Sequence, residues 1–215
     1  MEPDAVELRV VACLVEKQRT TPDAYPLSLN ALRLACNQST NRDPVVSYDE
    51  ATVSEALRRL AQRGWTRLAS GAGSRARKYR HLLPEALGLD EAELALLAVL
   101  MLRGPQTPGE LKQRSERLHP FPGLPAVQET LERLLGRELV VRHPRRPGQK
   151  EDRFEQTLGG EEGERDKGVA ATSAAPEPAS PPASSDADED RLDRIERELG
   201  ELRAEVARLR EALGD

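Results

Sequence analysis

Residues 47–70, SYDEATVSEALRRLAQRGWTRLAS, carry the pattern on which the fold prediction depends. Apolar residues recur at spacings of three and four along its first half, which is typical of an amphipathic helix. Ser47 and Glu50 have the spacing of a capping box at the start of this helix, and Gly64 predicts its end. The chain continues with WTRLAS, the turn GAGS and RKYRHLL, which predict two short strands around a tight basic turn.

Two further helices are predicted before this stretch. Asp4 and Glu7 form a capping box for a helix that extends to Arg19 and carries an apolar stripe. After a break at Thr21-Pro22, Ser28 caps a second helix. Three helices followed by a β-hairpin is the element order of a winged helix, a variant of the helix-turn-helix.

The same order is predicted a second time further along the chain. An offset of 86 residues aligns Thr21-Pro22 with Thr107-Pro108, and an offset of 74 aligns Val53 with Val127. The stretches LVVRHPRR and EDRFEQTL, on either side of the turn PGQK, predict a second hairpin. Two offsets that align helix breaks and apolar positions in this way indicate an internal repeat.

The expected fold class is therefore α+β, mainly α with small β-hairpins. Beyond the two repeats, Gly, Glu, Ala, Ser, Pro and Asp dominate a stretch that is too polar to bury a core, which predicts a disordered linker. The predicted organisation is a first winged-helix domain at residues 1–86, a second at 87–158, an acidic linker at 159–190 and a coiled-coil helix at 191–215.

Charge is distributed unevenly along the 215 residues, whose formal net charge is −5. Residues 1–158 contain 24 basic and 21 acidic side chains, whereas residues 159–215 contain 8 basic and 16 acidic ones. The two repeats are thus mildly basic and the tail is strongly acidic. The net charge of the whole chain describes neither part, so it does not exclude a nucleic-acid partner.

The compartment is predicted from what the sequence lacks. The charged N-terminus has no apolar signal core, and the longest apolar run, LALLAVLML at residues 94–102, is about half of what a bilayer requires. Cys13 and Cys36 lie in helical patterns and are interpreted as small buried side chains in a reducing compartment. We expect a cytoplasmic protein without a membrane partner.

The tail contains a heptad pattern whose apolar spacing alternates between three and four without error. In a parallel pairing Glu198 meets Arg203 of the other helix, whereas an antiparallel pairing sets Glu198 against Glu205. We therefore predict self-association as a parallel coiled coil, with a dimer favoured and a trimer left open. The expected oligomerisation residues are Leu192, Ile195, Leu199, Leu202, Val206, Leu209 and Leu213.

Basic residues concentrate in the two hairpins, where they suit the phosphates of duplex DNA. The third helices favour base reading less, because the first one opens with Asp49 and Glu50. Backbone contact is therefore expected more than sequence readout, and pairing of the arginines with local carboxylates is the alternative. The candidate residues are Arg75, Arg77, Lys78, Arg80, Arg142, Arg145, Arg146 and Lys150 in the hairpins, with Arg58 and Arg59 on the third helix.

Several long blocks of the sequence resemble the YceH-like family of bacterial proteins of unknown function. These blocks are TPDAYPLSLNALRLACNQSTNRDP, GSRARKYRH, LRGPQTPGELKQRSERLHPF and PRRPGQK, and the resemblance covers roughly residues 4–158. It implies a tandem winged-helix fold, but it implies no activity, ligand or catalytic residue. Within the block NQSTNRDP, the asparagines and Arg42 are the positions of first interest.

The sequence gives little support to an enzyme. GAGS lacks the Lys and Ser/Thr of a phosphate-binding loop, and His81, His119 and His143 are scattered without ligand spacing. We therefore expect no enzymatic activity, no cofactor and no metal. Two hypotheses remain: a DNA-associated regulator that contacts the duplex backbone, and a protein-interaction adaptor whose winged helices bind a protein partner.

Overall fold

The computed structural model of the chain describes residues 2–69, 77–145 and 150–159. These residues form an α+β fold with small antiparallel sheets, as the sequence predicts. The helices are α1 (Ala5–Thr20), α2 (Leu29–Cys36), α3 (Glu50–Gln62), α4 (Leu83–Leu87), α5 (Glu91–Arg103), α6 (Pro108–Ser115) and α7 (Leu124–Gly136), with a 3-10 turn at Pro22–Ala24. The strands are β1 (Leu27–Ser28), β2 (Thr66–Leu68), β3 (Lys78–His81), β4 (Val140–His143) and β5 (Arg153–Gln156).

The capping box at the start of α1 is confirmed. The Asp4 carboxylate accepts a hydrogen bond from the Glu7 N–H at 2.8 Å, and the Glu7 carboxylate accepts one from the Asp4 N–H at 3.0 Å. The same reciprocal arrangement occurs at the starts of α5 and α6. Each box satisfies two backbone donors that a helix start otherwise leaves without partners.

The predicted capping box at Ser47 and Glu50 is wrong. α3 begins at Glu50, and its N-cap is Asp49, whose side chain accepts from the Thr52 N–H at 2.8 Å. The reason is a contact that is distant in sequence. The Asn37 side chain donates to the Tyr48 carbonyl and accepts from the Tyr48 N–H, both at 2.8 Å. This pairing engages both backbone groups of Tyr48 outside the helix, and Asp49 follows in extended backbone, so the helix starts two residues later than Ser47 requires.

The order of three helices and a hairpin occurs twice in the described chain. The second helices, α2 and α6, are related by an offset of 79 residues, and their N-caps are Ser28 and Thr107. The predicted equivalence of Thr21-Pro22 with Thr107-Pro108 is therefore wrong. Thr21-Pro22 instead opens the 3-10 turn, which belongs to a seven-residue insertion of the first copy.

Each copy contains one small antiparallel sheet. In the first copy the strand order is β1-β3-β2, and Leu27 pairs with Tyr79. In the second copy β4 pairs with β5, and a single bridge between Gln106 and Phe154 takes the place of the β1–β3 pairing. The two copies thus share one topology, with strand β1 reduced to one residue in the second.

The first helices of the two copies, α1 and α5, pack against each other at the centre of the fold. Residues 7–15 and 93–102 are buried on all sides, which is typical of central helices. Leu14 and Leu97 are fully buried, and each such side chain contributes roughly 1.5–3 kcal/mol of burial free energy. Within the described ranges, no helix combines the length and the apolar character that crossing a bilayer requires.

A set of four charged side chains joins the first and third helices in each copy. The pairs in the first copy are Arg59 with Asp4 at 2.8 Å and Arg63 with Glu7 at 3.2 Å. The equivalent pairs in the second copy are Arg133 with Asp90 at 2.8 Å and Arg137 with Glu93 at 3.0 Å. The same ion pairs therefore fix the third helix on the capped start of the first helix in both copies.

Candidate nucleic-acid interface

The cations of α3 are engaged by carboxylates of the chain itself. The Arg58 guanidinium donates two hydrogen bonds to the Glu55 carboxylate, at 2.8 and 2.6 Å, and these bonds lower the pKa of Glu55. Arg59 pairs with Asp4. At the helix start the Thr52 N–H lowers the pKa of Asp49, so this end carries negative charge. The exposed face of α3 therefore offers phosphates no unpaired arginine among these candidates.

The first hairpin presents cations on the outer face of its sheet. Thr66 and His81 are cross-strand partners, and both are buried. Because side chains alternate along a strand, the next pair, Arg67 and Arg80, lies on the opposite face together with Lys78. Like charges directly opposite each other across a sheet are unfavourable in isolation.

Arg67 was not among the candidates predicted from the sequence. The prediction weighed the density of cations around the turn, whereas the useful signal is the alternation in Thr66-Arg67-Leu68. Arg77 stands exposed just before β3. Arg75 lies outside the described residues.

No carboxylate of the described residues forms an ion pair with Arg67, Arg77 or Arg80. The segment between the two strands cannot supply one, since residues 69–77, ASGAGSRAR, contain no acidic side chain. Arg67 and Arg80 on the outer face and the exposed Arg77 beside it thus give the first hairpin three cations that form no ion pair with a carboxylate in the described ranges. Such cations suit the phosphates of a nucleic-acid backbone.

In the second hairpin, Arg142 lies on the inner face of the sheet and pairs with carboxylates, unlike the arginines on the strands of the first hairpin. Arg142 shares a sheet face with Phe154 and lies over its ring, 5.8 Å from the centroid. Its guanidinium donates to Asp152 at 2.7 Å and stands 4.0 Å from Glu132 of α7. The Arg145 N–H also donates to Asp152, at 2.9 Å. These two contacts, the Arg145 N–H first, lower the pKa of the Asp152 carboxyl.

A cleft of about 590 Å³ lies between this hairpin, the start of α6 and the exposed face of α7. It contains both signs of charge, with carboxylates in slight excess. Glu129 and Glu132 on α7 are highly exposed, with 77% and 66% of their side-chain surface accessible. The lining residues are Pro108, Gln128, Glu129, Glu132, Arg142, Arg145, Lys150, Glu151, Asp152 and Phe154.

The remaining predicted positions lie outside the described residues. They are Arg146 of the second hairpin, the linker at 160–190 and the coil residues from Leu192 to Leu213. The two cysteines are described, and both are buried as expected, Cys13 on α1 and Cys36 at the end of α2.

Comparison with known sequences places the chain in a family. The sequence model of the family described as "Protein of unknown function, DUF480" matches residues 4–149. The chain therefore belongs to this family, and the expected resemblance to a bacterial family of unknown function is confirmed.

Individual relatives match over most of their own length. The UPF0502 protein of Geotalea daltonii is 56% identical over 158 residues, which are 73% of this chain and 72% of the relative. The UPF0502 protein of Pelobacter propionicus is 45% identical over 212 residues, covering 97% of this chain and 94% of the relative. The UPF0502 protein of Pseudomonas syringae pv. tomato is 43% identical over 209 residues, covering 97% and 92%.

Proposed function

We propose that the protein is a non-enzymatic, cytoplasmic, DNA-associated regulator that contacts the duplex backbone through basic wings and self-associates through its C-terminal coil. The observation that carries this proposal is the cationic outer face of the first hairpin, where Arg67 and Arg80 oppose each other without a carboxylate partner in the described chain. A polyanion supplies the counter-charge that the described residues do not.

The two units are proposed to be winged helices. Each has three helices followed by an antiparallel hairpin, and in each the third helix is fixed by ion pairs on the start of the first. In this arrangement the hairpin corresponds to the wing, which in winged helices contacts the DNA backbone. The paired Arg58 and the acidic start of α3 favour backbone contact over base reading.

The test is binding of the full chain to a random-sequence duplex across a salt series. Counterion release predicts that the logarithm of the binding constant falls linearly with the logarithm of salt concentration, with a slope of about −0.9 for each phosphate neutralised. A duplex of a different sequence should bind with similar affinity. Absence of salt-dependent binding at about 50 mM salt would remove the DNA hypothesis.

Self-association is proposed from the heptad pattern of Leu192 to Leu213. A chain ending at Gly159 should sediment as a monomer, whereas the full chain should sediment as a dimer or trimer. Equal masses per particle for both chains would contradict the coil. If the coil forms, two or three DNA-contacting chains share one particle, and their effective local concentration raises the apparent affinity.

The second candidate function is a protein-interaction adaptor. The exposed Glu129 and Glu132 on α7, beside a polar cleft, favour this role for the second unit. An adaptor without a DNA role would show no salt-dependent duplex binding, so the same titration separates the two functions.

A further inference from the structure

We infer that contact with DNA phosphates is confined to the first unit and that the second unit, although built on the same plan, faces away from the duplex. This inference rests on the proposed function and assigns it to one of two equivalent surfaces. The observations that carry it are the charges at equivalent positions of the two hairpins.

Both hairpins contain five cations, but they differ in carboxylates. Residues 66–81 contain no acidic side chain, whereas residues 140–156 contain three, Glu151, Asp152 and Glu155. The net charge of the first hairpin is therefore +5 and that of the second is +2. Because phosphate binding depends on net cation density near the backbone, this difference favours the first hairpin.

The outer face of the first sheet also carries more positive charge than that of the second when equivalent positions are compared. Strand β2 maps onto β4 with an offset of 74, and β3 maps onto β5 with an offset of 75. The residues equivalent to Arg67, Lys78 and Arg80 are Val141, Arg153 and Glu155. Of these only Arg153 is a cation, and it lies 3.0 Å from Glu110. His143 Nε2, on the same face, lies 2.8 Å from the Glu155 carboxylate.

The third helix of the second unit, α7, carries carboxylates that would repel DNA phosphates. If α7 approached a duplex as a third helix usually does, the exposed carboxylates of Glu129 and Glu132 would meet phosphates. Their contacts with arginine, at 3.9 and 4.0 Å, are too long and too exposed to neutralise them strongly. Like charges at an interface exclude the wrong partner, so this face disfavours DNA.

The experiment compares three variants of the full chain with the unsubstituted chain in the salt series. R67Q/R77Q removes two exposed cations of the first hairpin, and R142Q/R145Q is its matched control in the second. E129Q/E132Q removes the repulsive charges of α7. All six positions are surface side chains, and far-UV circular dichroism with urea unfolding verifies that each variant is folded.

The salt slope of R67Q/R77Q is expected to decrease by about 2, roughly one for each phosphate that the variant no longer neutralises. R142Q/R145Q should keep the slope of the unsubstituted chain. E129Q/E132Q should change the affinity less than about twofold at 0.15 M salt, because screening limits surface charges to a range of about 8 Å.

The outcomes separate the inference from the function on which it rests. If R142Q/R145Q lowers the slope as much as R67Q/R77Q, or E129Q/E132Q raises the affinity severalfold, both units contact DNA and the inference is wrong while the function stands. If the unsubstituted chain shows no salt-dependent binding, the proposed function fails and the inference fails with it.

Discussion

The two copies differ most in the side chains that their first helices, α1 and α5, bury next to the second helix. In the first copy, Arg9, Cys13 and Glu16 of α1 lie around a buried polar cluster, and the cluster is completed by Arg42. An offset of 86 residues places Ala95, Val99 and Leu102 at the equivalent positions of α5, all of them apolar and buried. One helix arrangement is thus supported by ions in one copy and by apolar packing in the other.

The difference follows from the connection between the second and third helices. In the first copy this connection is residues 37–49, and in the second it is residues 116–123. The longer loop folds around the Arg42 guanidinium, which donates to the carbonyls of Ala35 and Asn41 and to the carboxylate of Glu16. A guanidinium has five N–H donors, so one buried arginine can hydrogen-bond to several segments of the chain at once.

The loop also contacts the second copy. The Asp43 N–H donates to the Leu102 carbonyl at the end of α5 at 2.9 Å, and the Arg103 side chain donates to Asn41. The loop therefore depends on both copies for its position. Since it leads directly into α3, the polar cluster positions the third helix of the unit that we propose to contact DNA.

Replacement of Arg42 with Met should produce the largest loss of stability. The Arg42 side chain is 0% exposed, and its removal leaves the Glu16 carboxylate and the Ala35 carbonyl with too few donors. Breaking a buried ion pair by removing one partner costs about 3–5 kcal/mol. Urea unfolding measures this loss, and Arg58→Met, at an exposed pair, should leave the unfolding free energy unchanged.

The double variant Glu16→Leu/Arg42→Met sharpens this comparison, because it gives the first copy the leucine found at Leu102 in the second. Replacing both partners of a buried pair with apolar groups is often close to neutral. The double variant should therefore recover part of the loss. A double variant less stable than Arg42→Met would show that the loop needs the Glu16 carboxylate itself.

The second prediction concerns pH and affects only the first copy. His81 is buried, its Nε2 lies 2.6 Å from the Gln18 side-chain oxygen, and burial lowers the pKa of the imidazole to about 4. An unfolded chain binds the proton near its ordinary pKa of 6.5. As pH falls from 6.5 toward 4, protonation favours the unfolded state, so stability decreases by up to about 3 kcal/mol.

The residue equivalent to His81 in the second copy is Gln156, which does not titrate. His81→Gln should therefore remove this part of the pH dependence. Unfolding free energies at pH 7 and pH 4.5 provide the measurement, and the difference between variant and unsubstituted chain cancels the carboxylates common to both. The same pH dependence in both proteins would show that the histidine is protonated in the folded state.

Local signals in the sequence predicted most of the helix starts and both hairpins. The capping boxes of α1 and α5 need only residues three apart, and the turns need only glycine and polar residues. The start of α3 required the distant contact between Asn37 and Tyr48, which no local pattern contains. The small elements β1 and α4 were missed for a related reason, since they are too short to have a period.

The charged residues were harder to interpret than the elements. The sequence predicts DNA contact for Arg59 and Arg142 from their places on the third helix and in the second hairpin. Whether such an arginine has a carboxylate partner depends on the packing of other segments, as the pairs of Arg59 with Asp4 and of Arg142 with Asp152 show. Arg42 was singled out only by resemblance, and its burial depends on the convergence of α1, α2 and the loop. The linker and the coil remain predictions.

Substitutions in the turn that follows the third helix of each copy should have the smallest effect on stability. They test whether both copies depend on the same backbone turn. Gly64 and Glu138 are equivalent, with φ of +74° and +57°, and each N–H donates at 3.0 Å to the carbonyl three residues earlier. A β-carbon at Gly64 would have no atom within 4 Å, so Gly64→Ala changes backbone strain alone. That strain should cost about 1 kcal/mol.

The reverse substitution, Glu138→Gly, should stabilise the protein slightly. It relieves the left-handed strain of a non-glycine residue, but it also gives the unfolded chain more conformational freedom, and the net gain is about 0.5 kcal/mol. Urea midpoints at constant m-value measure both variants, and Glu116→Gly, in the non-equivalent connection, provides a control that should destabilise. A lower free energy of unfolding for Glu138→Gly would mean that the glutamate side chain stabilises the protein by more than its left-handed backbone destabilises it. The second copy would then hold this turn through other contacts than the first.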